Sequence, residues 1–189
     1  MIQNDNFKFV VHRENFLSVS QCQKLMRYLE TGEPTESELA GNYDENILNK
    51  EVRDNKEVVI NNKQLNDKLQ MVFELSNQSI WKYDIQEMEK VKILRYENGG
   101  KYEWHTDTGA KETSTRKLTA VIQLSDETMY EGGDLEFGIT DDSGKKNYTA
   151  PRTRGSIIIF PSFLSHRVTP ITKGRRYSLI TWMNGDTWK

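Results

Sequence analysis

The most informative stretch of this chain is Tyr102-Glu103-Trp104-His105-Thr106-Asp107, whose pattern is typical of a β-strand. Side chains two positions apart on a strand share a face, so we expect His105 and Asp107 to point into the same space. Two imidazoles and one carboxylate are the ligand set that holds non-haem iron(II) and leaves positions open. The chain has only three histidines, and His166 is the candidate for the second imidazole. The stretch therefore predicts a metal site at His105, Asp107 and His166, although a His-x-Asp spacing alone is common by chance.

A second group of residues predicts a carboxylate-binding site beside this metal. Arg176 follows His166 by ten residues, and Ser178 shares its strand face. A guanidinium with a neighbouring hydroxyl can bind one carboxylate of a dicarboxylic acid by two contacts. Tyr96 precedes His105 across a glycine-bearing turn, and its phenol can donate a further hydrogen bond. Arg175 is the arginine of this pair that we expect to be exposed.

Short strands dominate the chain after Lys90 and predict a sandwich or jelly roll. The predicted strands cover residues 91–96, 102–107, 117–124, 134–139, 156–160, 166–168 and 177–183. Before them, the apolar spacing predicts helices from Ser18 or Ser20 to Gly32 and over 63–80, with strands at 7–11 and 57–60 and a surface loop at 33–50. The fold class is thus mostly β (α+β), with N-terminal helices bracing one sheet.

Composition limits the class of protein. A chain of 189 residues is expected to form a single domain over 1–189, with helical support and first strands in 1–90 and a jelly-roll core in 91–185. The net charge of −2 disfavours nucleic acid as a partner. The single cysteine, Cys22, excludes an internal disulfide and is expected to face the core. The first residues do not look like a secretory signal, and no apolar run is long enough for a bilayer, so we expect a soluble, cytoplasmic protein without membrane partners.

Four ordered blocks of the sequence resemble the 2-oxoglutarate- and iron(II)-dependent oxygenases of the prolyl 4-hydroxylase-like family. The blocks are Arg95-Tyr96-Glu97-Asn98-Gly99-Gly100-Lys101-Tyr102-Glu103-Trp104-His105-Thr106-Asp107, then Tyr130-Glu131-Gly132-Gly133-Asp134-Leu135-Glu136-Phe137, then Gly155 to Phe160 with His166-Arg167-Val168-Thr169-Pro170, and finally Lys173-Gly174-Arg175-Arg176-Tyr177-Ser178-Leu179. The resemblance covers most of the chain and is strongest from Val91 to Met183.

The resemblance implies a double-stranded β-helix, the jelly-roll variant of these enzymes. It also implies iron(II) held by His105, Asp107 and His166, 2-oxoglutarate held by Arg176 and Tyr96, O₂ as the second substrate and ascorbate as a candidate reductant. The implied reaction hydroxylates a peptidyl residue, with proline favoured, and releases succinate and CO₂.

Other functions remain open at this stage. A hydroxylase of a free amino acid or other small molecule would use the same residues, and a non-catalytic jelly-roll binding module would keep the shape without turnover. A nucleic-acid demethylase is disfavoured because no arginine follows Arg176. Oligomeric state is not indicated.

Two further expectations concern the surroundings of the site. The small, polar segment from Thr108 to Thr115 is expected to border the mouth and to order with substrate, or else to be a plain hairpin loop. Tyr102, Trp104 and Trp182 are candidates to line a peptide groove. For Trp104 we favour core packing, because it neighbours His105 and faces the opposite way.

Overall fold

The structure is a computed structural model, and it describes residues 8–38, 48–140 and 146–187. Two helices precede most of the strands, α1 (Val19–Thr31) and α2 (Lys63–Ser79). The strands are β1 (Val11–Arg13), β2 (Thr35–Glu36), β3 (Lys56–Ile60), β4 (Ile85–Met88), β5 (Val91–Glu97), β6 (Tyr102–His105), β7 (Arg116–Gln123), β8 (Tyr130–Gly132), β9 (Leu135–Thr140), β10 (Lys146–Thr149), β11 (Ile157–Pro161), β12 (His166–Val168) and β13 (Ile171–Gly185).

The strands form two antiparallel sheets within the described part of the chain. The large sheet has the order β1-β11-β7-β13-β5-β3-β2, with β4 and β8 also paired to β13. The small sheet has the order β10-β9-β12-β6. Together with the similarity to known structures described below, this arrangement confirms the predicted double-stranded β-helix with N-terminal helices.

The large sheet is buried on both faces, which explains its long apolar runs. Ile157 and Ile159 of β11 pack with the helices, whereas Ile158 and Phe160 pack against the small sheet. The helical side of this core includes Cys22, which is fully buried as predicted. The second apolar layer, between the sheets, is the one that surrounds the candidate site.

Local signals set the helix starts. Ser18 accepts a hydrogen bond from the backbone N–H of Gln21, and the side chain of Gln21 accepts one from the N–H of Ser18. This reciprocal pair is a capping box, so Ser18 rather than Ser20 begins the helix. Asn62 caps α2 through the N–H of Leu65. In the described residues, neither helix has the length and apolar character that a membrane crossing requires.

Several predicted boundaries were wrong. The first strand covers Val11–Arg13 rather than 7–11, whose residue 7 lies outside the described residues. The predicted loop at 33–50 contains the short strand β2, and its residues 39–47 also lie outside the described residues. The strand expected over 102–107 ends at His105 because the chain turns there to meet the loop after β11.

Candidate active site

His105, Asp107 and His166 meet between the two sheets. His105 ends β6, and His166 begins β12 directly opposite it in the ladder. The Nε2 atoms of His105 and His166 lie 3.6 Å and 3.5 Å from the two carboxylate oxygens of Asp107. One potential ligand atom from each residue lies within 4.8 Å of the others. The three side chains therefore face one common point, as the sequence predicted.

Backbone contacts fix how the two imidazoles face this point. The Nδ1 atom of His105 lies 2.7 Å from the carbonyl oxygen of Glu103, and Nδ1 of His166 lies 2.8 Å from that of Leu164. A carbonyl oxygen only accepts, so each Nδ1 must carry the proton. In the neutral imidazole, Nε2 then keeps its lone pair and can coordinate a metal ion.

Asp107 is held from two sides although no strand continues to it. Its backbone N–H donates to the carbonyl oxygen of Ser162 over 2.8 Å. Its carboxylate accepts a hydrogen bond of 2.7 Å from the hydroxyl of Thr119, which lies 3.0 Å from the hydroxyl of Ser162. A turn and two polar contacts, rather than strand alternation, thus bring Asp107 to the histidines.

The environment gives His166 and Asp107 the protonation states that bind metals. Burial lowers the pKa of His166 to about 4, although the Asp107 carboxylate acts to raise it. Burial acts to raise the pKa of Asp107, but the imidazoles of His166 and His105 and the hydroxyl of Thr119 lower it well below its usual range. A neutral imidazole and an ionised carboxylate are the forms that coordinate a divalent cation. The donor set fits the two-histidine, one-carboxylate arrangement of non-haem iron.

Arg176 lies on the same side of the large sheet as the triad and is 1% exposed. Its Nη1 donates to the hydroxyl of Ser178 over 3.3 Å, and its Nη2 donates to Oε1 of Gln123 over 3.0 Å. Its Nε has no hydrogen-bond partner, and no carboxylate among the described residues pairs with it. A buried, uncompensated guanidinium favours binding of a carboxylate from outside the chain.

Tyr96 lies directly opposite Arg176 in the ladder between β5 and β13. The guanidinium carbon of Arg176 is 5.5 Å from the centre of the Tyr96 ring. Burial raises the pKa of Tyr96, so its phenol keeps its proton and can donate. Tyr96, Arg176 and Ser178 therefore lie next to one another. Strand alternation had predicted this proximity for Arg176 and Ser178.

The triad and the arginine line one cavity of about 610 Å³. This volume falls in the range of roughly 300–1,000 Å³ that is usual for sites of small ligands. Alternate residues of β13 form one wall, namely Arg176, Ser178, Ile180, Trp182 and Asn184. The candidate metal ligands and the candidate carboxylate-binding residues thus lie in a single space that can hold more than one small molecule.

The comparison with family models decides the affiliation of the chain. Residues 91–184 match the model described as the 2OG-Fe(II) oxygenase superfamily. The chain belongs to this superfamily. The matched range includes the whole triad, Tyr96, Arg176 and Ser178.

Proteins of similar sequence are named hydroxylases. A PKHD-type hydroxylase of Synechococcus sp. (strain CC9311) is 30% identical over 119 residues, which are 59% of this chain and 52% of the relative. A PKHD-type hydroxylase of Teredinibacter turnerae is 29% identical over 140 residues, 66% of this chain and 60% of the relative. The chain thus spans between half and two thirds of the length of these relatives.

Solved structures share the fold of this superfamily member. A prolyl-4-hydroxylase of Pseudomonas putida has a TM-score of 0.74 at 18% identity, covering 94% of this chain and 93% of that one. A prolyl hydroxylase from Trichoplax adhaerens, in complex with a peptide fragment of the hypoxia inducible factor oxygen degradation domain, has a TM-score of 0.78 at 19% identity, covering 96% of this chain and 85% of that one. At these identities the likeness concerns the fold.

Residues that the sequence prediction missed support both parts of this oxygenase site. Thr119 and Gln123 hold Asp107 and Arg176, respectively. Both lie on β7, four residues apart and therefore on the same face of the strand, with Val121 between them. Their polarity on a buried strand was the available signal, since a polar residue on a buried strand face needs a partner.

The aromatic expectations had mixed outcomes. Tyr102 and Trp182 line the cavity, and the ring of Tyr102 stacks on His105 with 3.4 Å between centroids. Core packing of Trp104 was wrong, because the residue is 38% exposed and its ring lies under the guanidinium of Arg167. The face opposite His105 on the small sheet points outward, since no further layer among the described residues covers it. Arg175 is the exposed arginine, as predicted.

Proposed function

We propose that this chain is an iron(II)- and 2-oxoglutarate-dependent dioxygenase that hydroxylates a peptidyl residue, with proline as the favoured target, and releases succinate and CO₂. The single observation that carries the proposal is the pairing, in one cavity, of the triad with the uncompensated guanidinium of Arg176. The names of the relatives support hydroxylation, and the peptide bound to one structural neighbour supports a peptide substrate.

The proposed roles follow from the contacts of each residue. His105, Asp107 and His166 hold the metal through two Nε2 atoms and one carboxylate. Arg176 and Ser178 bind the distal carboxylate of 2-oxoglutarate, and Tyr96 donates a hydrogen bond to the same molecule. When bound, iron(II) and 2-oxoglutarate supply the activation of O₂, with ascorbate proposed as a reductant. The chain itself contributes orientation and exclusion of water, because Asp107, His166, Arg176 and Tyr96 are buried.

A peptide is the substrate class that we favour over a small molecule. Besides Arg176 and the triad, the cavity is lined by Trp182 and by residues of the segment 108–115. This extent exceeds what a five-carbon cosubstrate occupies, so a substrate residue can enter while the rest of its chain lies along the mouth.

The direct test of the proposal has two steps. Anaerobic addition of iron(II) and 2-oxoglutarate to the purified protein is expected to give a weak visible charge-transfer band, which Asp107→Ala removes. A panel of proline-containing peptides and host lysate is then incubated with both and with air. Mass spectrometry is expected to find a gain of one oxygen on a peptide that depends on 2-oxoglutarate.

The outcomes separate the competing functions. Oxygen gained only by a free amino acid or another small molecule would assign the runner-up activity. Absence of both the band and succinate release would refute the proposal. Partner binding that survives His105→Ala, without any turnover, would instead indicate a jelly-roll binding module.

A further inference from the structure

Gln123 is a neutral side chain beside Arg176, at a position where an acidic residue would have formed an ion pair with this arginine. It lies on β7 directly opposite Ser178 of β13 and is 2% exposed. Its Oε1 accepts a hydrogen bond of 3.0 Å from Nη2 of Arg176. A guanidinium only donates, so the amide oxygen has to face it. Gln123 therefore orients Arg176 without neutralising it.

The second partner of the arginine is also neutral. Nη1 of Arg176 donates to the hydroxyl of Ser178, whereas Nε donates to no atom of the residues that the structure describes. No carboxylate in the described ranges forms an ion pair with this buried guanidinium. A buried charge without a counter-ion is costly, and a carboxylate that enters beside it removes that cost. The two neutral partners thus leave the whole charge available to a ligand.

We propose that Gln123 is a positioning residue that determines cosubstrate specificity by holding Arg176 through a neutral hydrogen bond, so that only a 2-keto acid with a distal carboxylate satisfies the cation. The inference rests on the proposed function, because it concerns the same cosubstrate site. It adds to that function a cause for the preference for a dicarboxylate, namely that Gln123 is neutral and does not pair with the charge of Arg176. A glutamate of the same shape at this position would supply the counter-charge from within the protein.

The test compares two ligands on inactive, Mn(II)-loaded protein without O₂. The ligands are 2-oxoglutarate and 2-oxopentanoate, which has a methyl group in place of the distal carboxylate. Dissociation constants are obtained from the ligand-induced rise of the unfolding midpoint, so the readout is binding rather than turnover. Gln123→Glu is the test variant, and Gln123→Met, which is neutral and of similar length, is its matched control.

We expect wild type to prefer 2-oxoglutarate. Gln123→Glu should weaken 2-oxoglutarate binding roughly 100-fold, because the introduced carboxylate repels the distal carboxylate of the ligand beside Arg176. The affinity for 2-oxopentanoate, which lacks that carboxylate, should stay within about threefold of wild type. Gln123→Met loses one hydrogen bond to the arginine, so it should weaken 2-oxoglutarate by less than about tenfold and keep the preference. The midpoint of ligand-free Gln123→Glu should not fall below wild type, because the new pair compensates the guanidinium.

Each contrary outcome has a distinct meaning. If wild type does not prefer 2-oxoglutarate, the proposed function falls and the inference falls with it. If wild type shows the preference and Gln123→Glu keeps it, only the inference is overturned. An equal loss of preference in Gln123→Met would also overturn it, since a charge effect cannot arise there. If Gln123→Glu does not fold, Gln123→Met decides alone: a lost preference for 2-oxoglutarate overturns the inference, and a retained preference supports it.

Discussion

At the scale of single residues, each member of the triad depends on a partner that orients it. The imidazoles rely on backbone carbonyls, which no substitution of a side chain can remove. Asp107 relies on a side chain, the hydroxyl of Thr119, which donates to one of its oxygens. The carboxylate is therefore the member of the triad whose orientation a single conservative substitution can test.

Thr119→Val removes this hydroxyl and keeps the shape of the side chain. We expect the affinity for Mn(II), measured by electron paramagnetic resonance, to fall about 10- to 100-fold, because the carboxylate loses the contact that orients it. Thr181→Val is the matched control, since Thr181 is equally buried on the neighbouring strand and donates to a backbone carbonyl instead. Equal metal affinity in the two variants would contradict the assigned role of Thr119.

Gly133 has a role that depends on its missing side chain. Its φ is +64°, and an added Cβ would lie 2.4 Å from Cδ1 of Ile171 and 3.1 Å from Cδ of Arg176. Gly133→Ala should therefore cost about 1–3 kcal/mol of unfolding free energy and weaken 2-oxoglutarate binding by displacing the arginine. Gly99→Ala is the control, because Gly99 also has a positive φ of +87° but no neighbour within 4 Å. A cosubstrate affinity equally affected in both variants would show that backbone strain, not the clash, is responsible.

At the scale of elements, a partly buried ionic network joins β3 and β5 with the segment that precedes β3. The carboxylate of Glu57 accepts hydrogen bonds from Lys92 at 2.6 Å and from Ser37 at 2.7 Å, and pairs with Arg53 at 3.3 Å. Burial acts to raise the pKa of Glu57, but Lys92, Ser37 and Arg53 outweigh it and lower the pKa below its usual range. The ionised form of Glu57 therefore stabilises the folded chain.

The lowered pKa of Glu57 predicts how the free energy of unfolding depends on pH. A carboxyl group with a lowered folded-state pKa contributes stability above its unfolded value, about 4.3 for glutamate, and loses it as the pH falls through the folded value. Glu57→Gln should thus cost about 1–3 kcal/mol at pH 7, and the gap to wild type should narrow below about pH 4.3. Urea unfolding from pH 7 to 3 measures both, with Glu131→Gln as an exposed control. A gap that stays constant in acid would refute the role of the ionised carboxylate.

The accuracy of the contacts predicted from the sequence also differs from one element to another. Alternation on β13 correctly placed Arg176 beside Ser178, because both lie inside one regular strand. The same rule placed Asp107 beside His105 for the wrong reason, since β6 ends at His105 and the carbonyl of Ser162 holds Asp107 instead. Contacts between distant segments, such as this one, have no local signal in the chain. The polar Gln123 on a buried strand was a local signal that a partner exists, but the identity of that partner, which lies 53 residues away, was not.

At the scale of the whole molecule, the supporting helices and the candidate site lie on opposite faces of the large sheet. The helices cover one face of the large sheet, and the cavity opens on the other, between the sheets. The segment 108–115 joins β6 to β7, contributes to the lining of this cavity and includes a short 3-10 helix, Lys111–Thr115. Thr115 donates to the side chain of Asn184 near the end of β13 over 3.1 Å. The segment is thus in contact with the strand that carries Arg176, Ser178 and Trp182.

The lid role of segment 108–115 stays a prediction, and trypsin offers its test. Lys111 is an exposed cleavage site inside the segment, and Lys82, an exposed residue shortly after α2, is the internal control. If ligands order the segment, Mn(II), 2-oxoglutarate and a substrate peptide together should slow cleavage after Lys111 roughly tenfold, because cleavage requires local opening. Cleavage after Lys82 should not change. Quantitative mass spectrometry over time measures both rates in one sample, so global stabilisation, which would slow both, is distinguished from local ordering. Equal rates after Lys111 with and without ligands would identify the segment as a plain hairpin loop that borders the site without closing it.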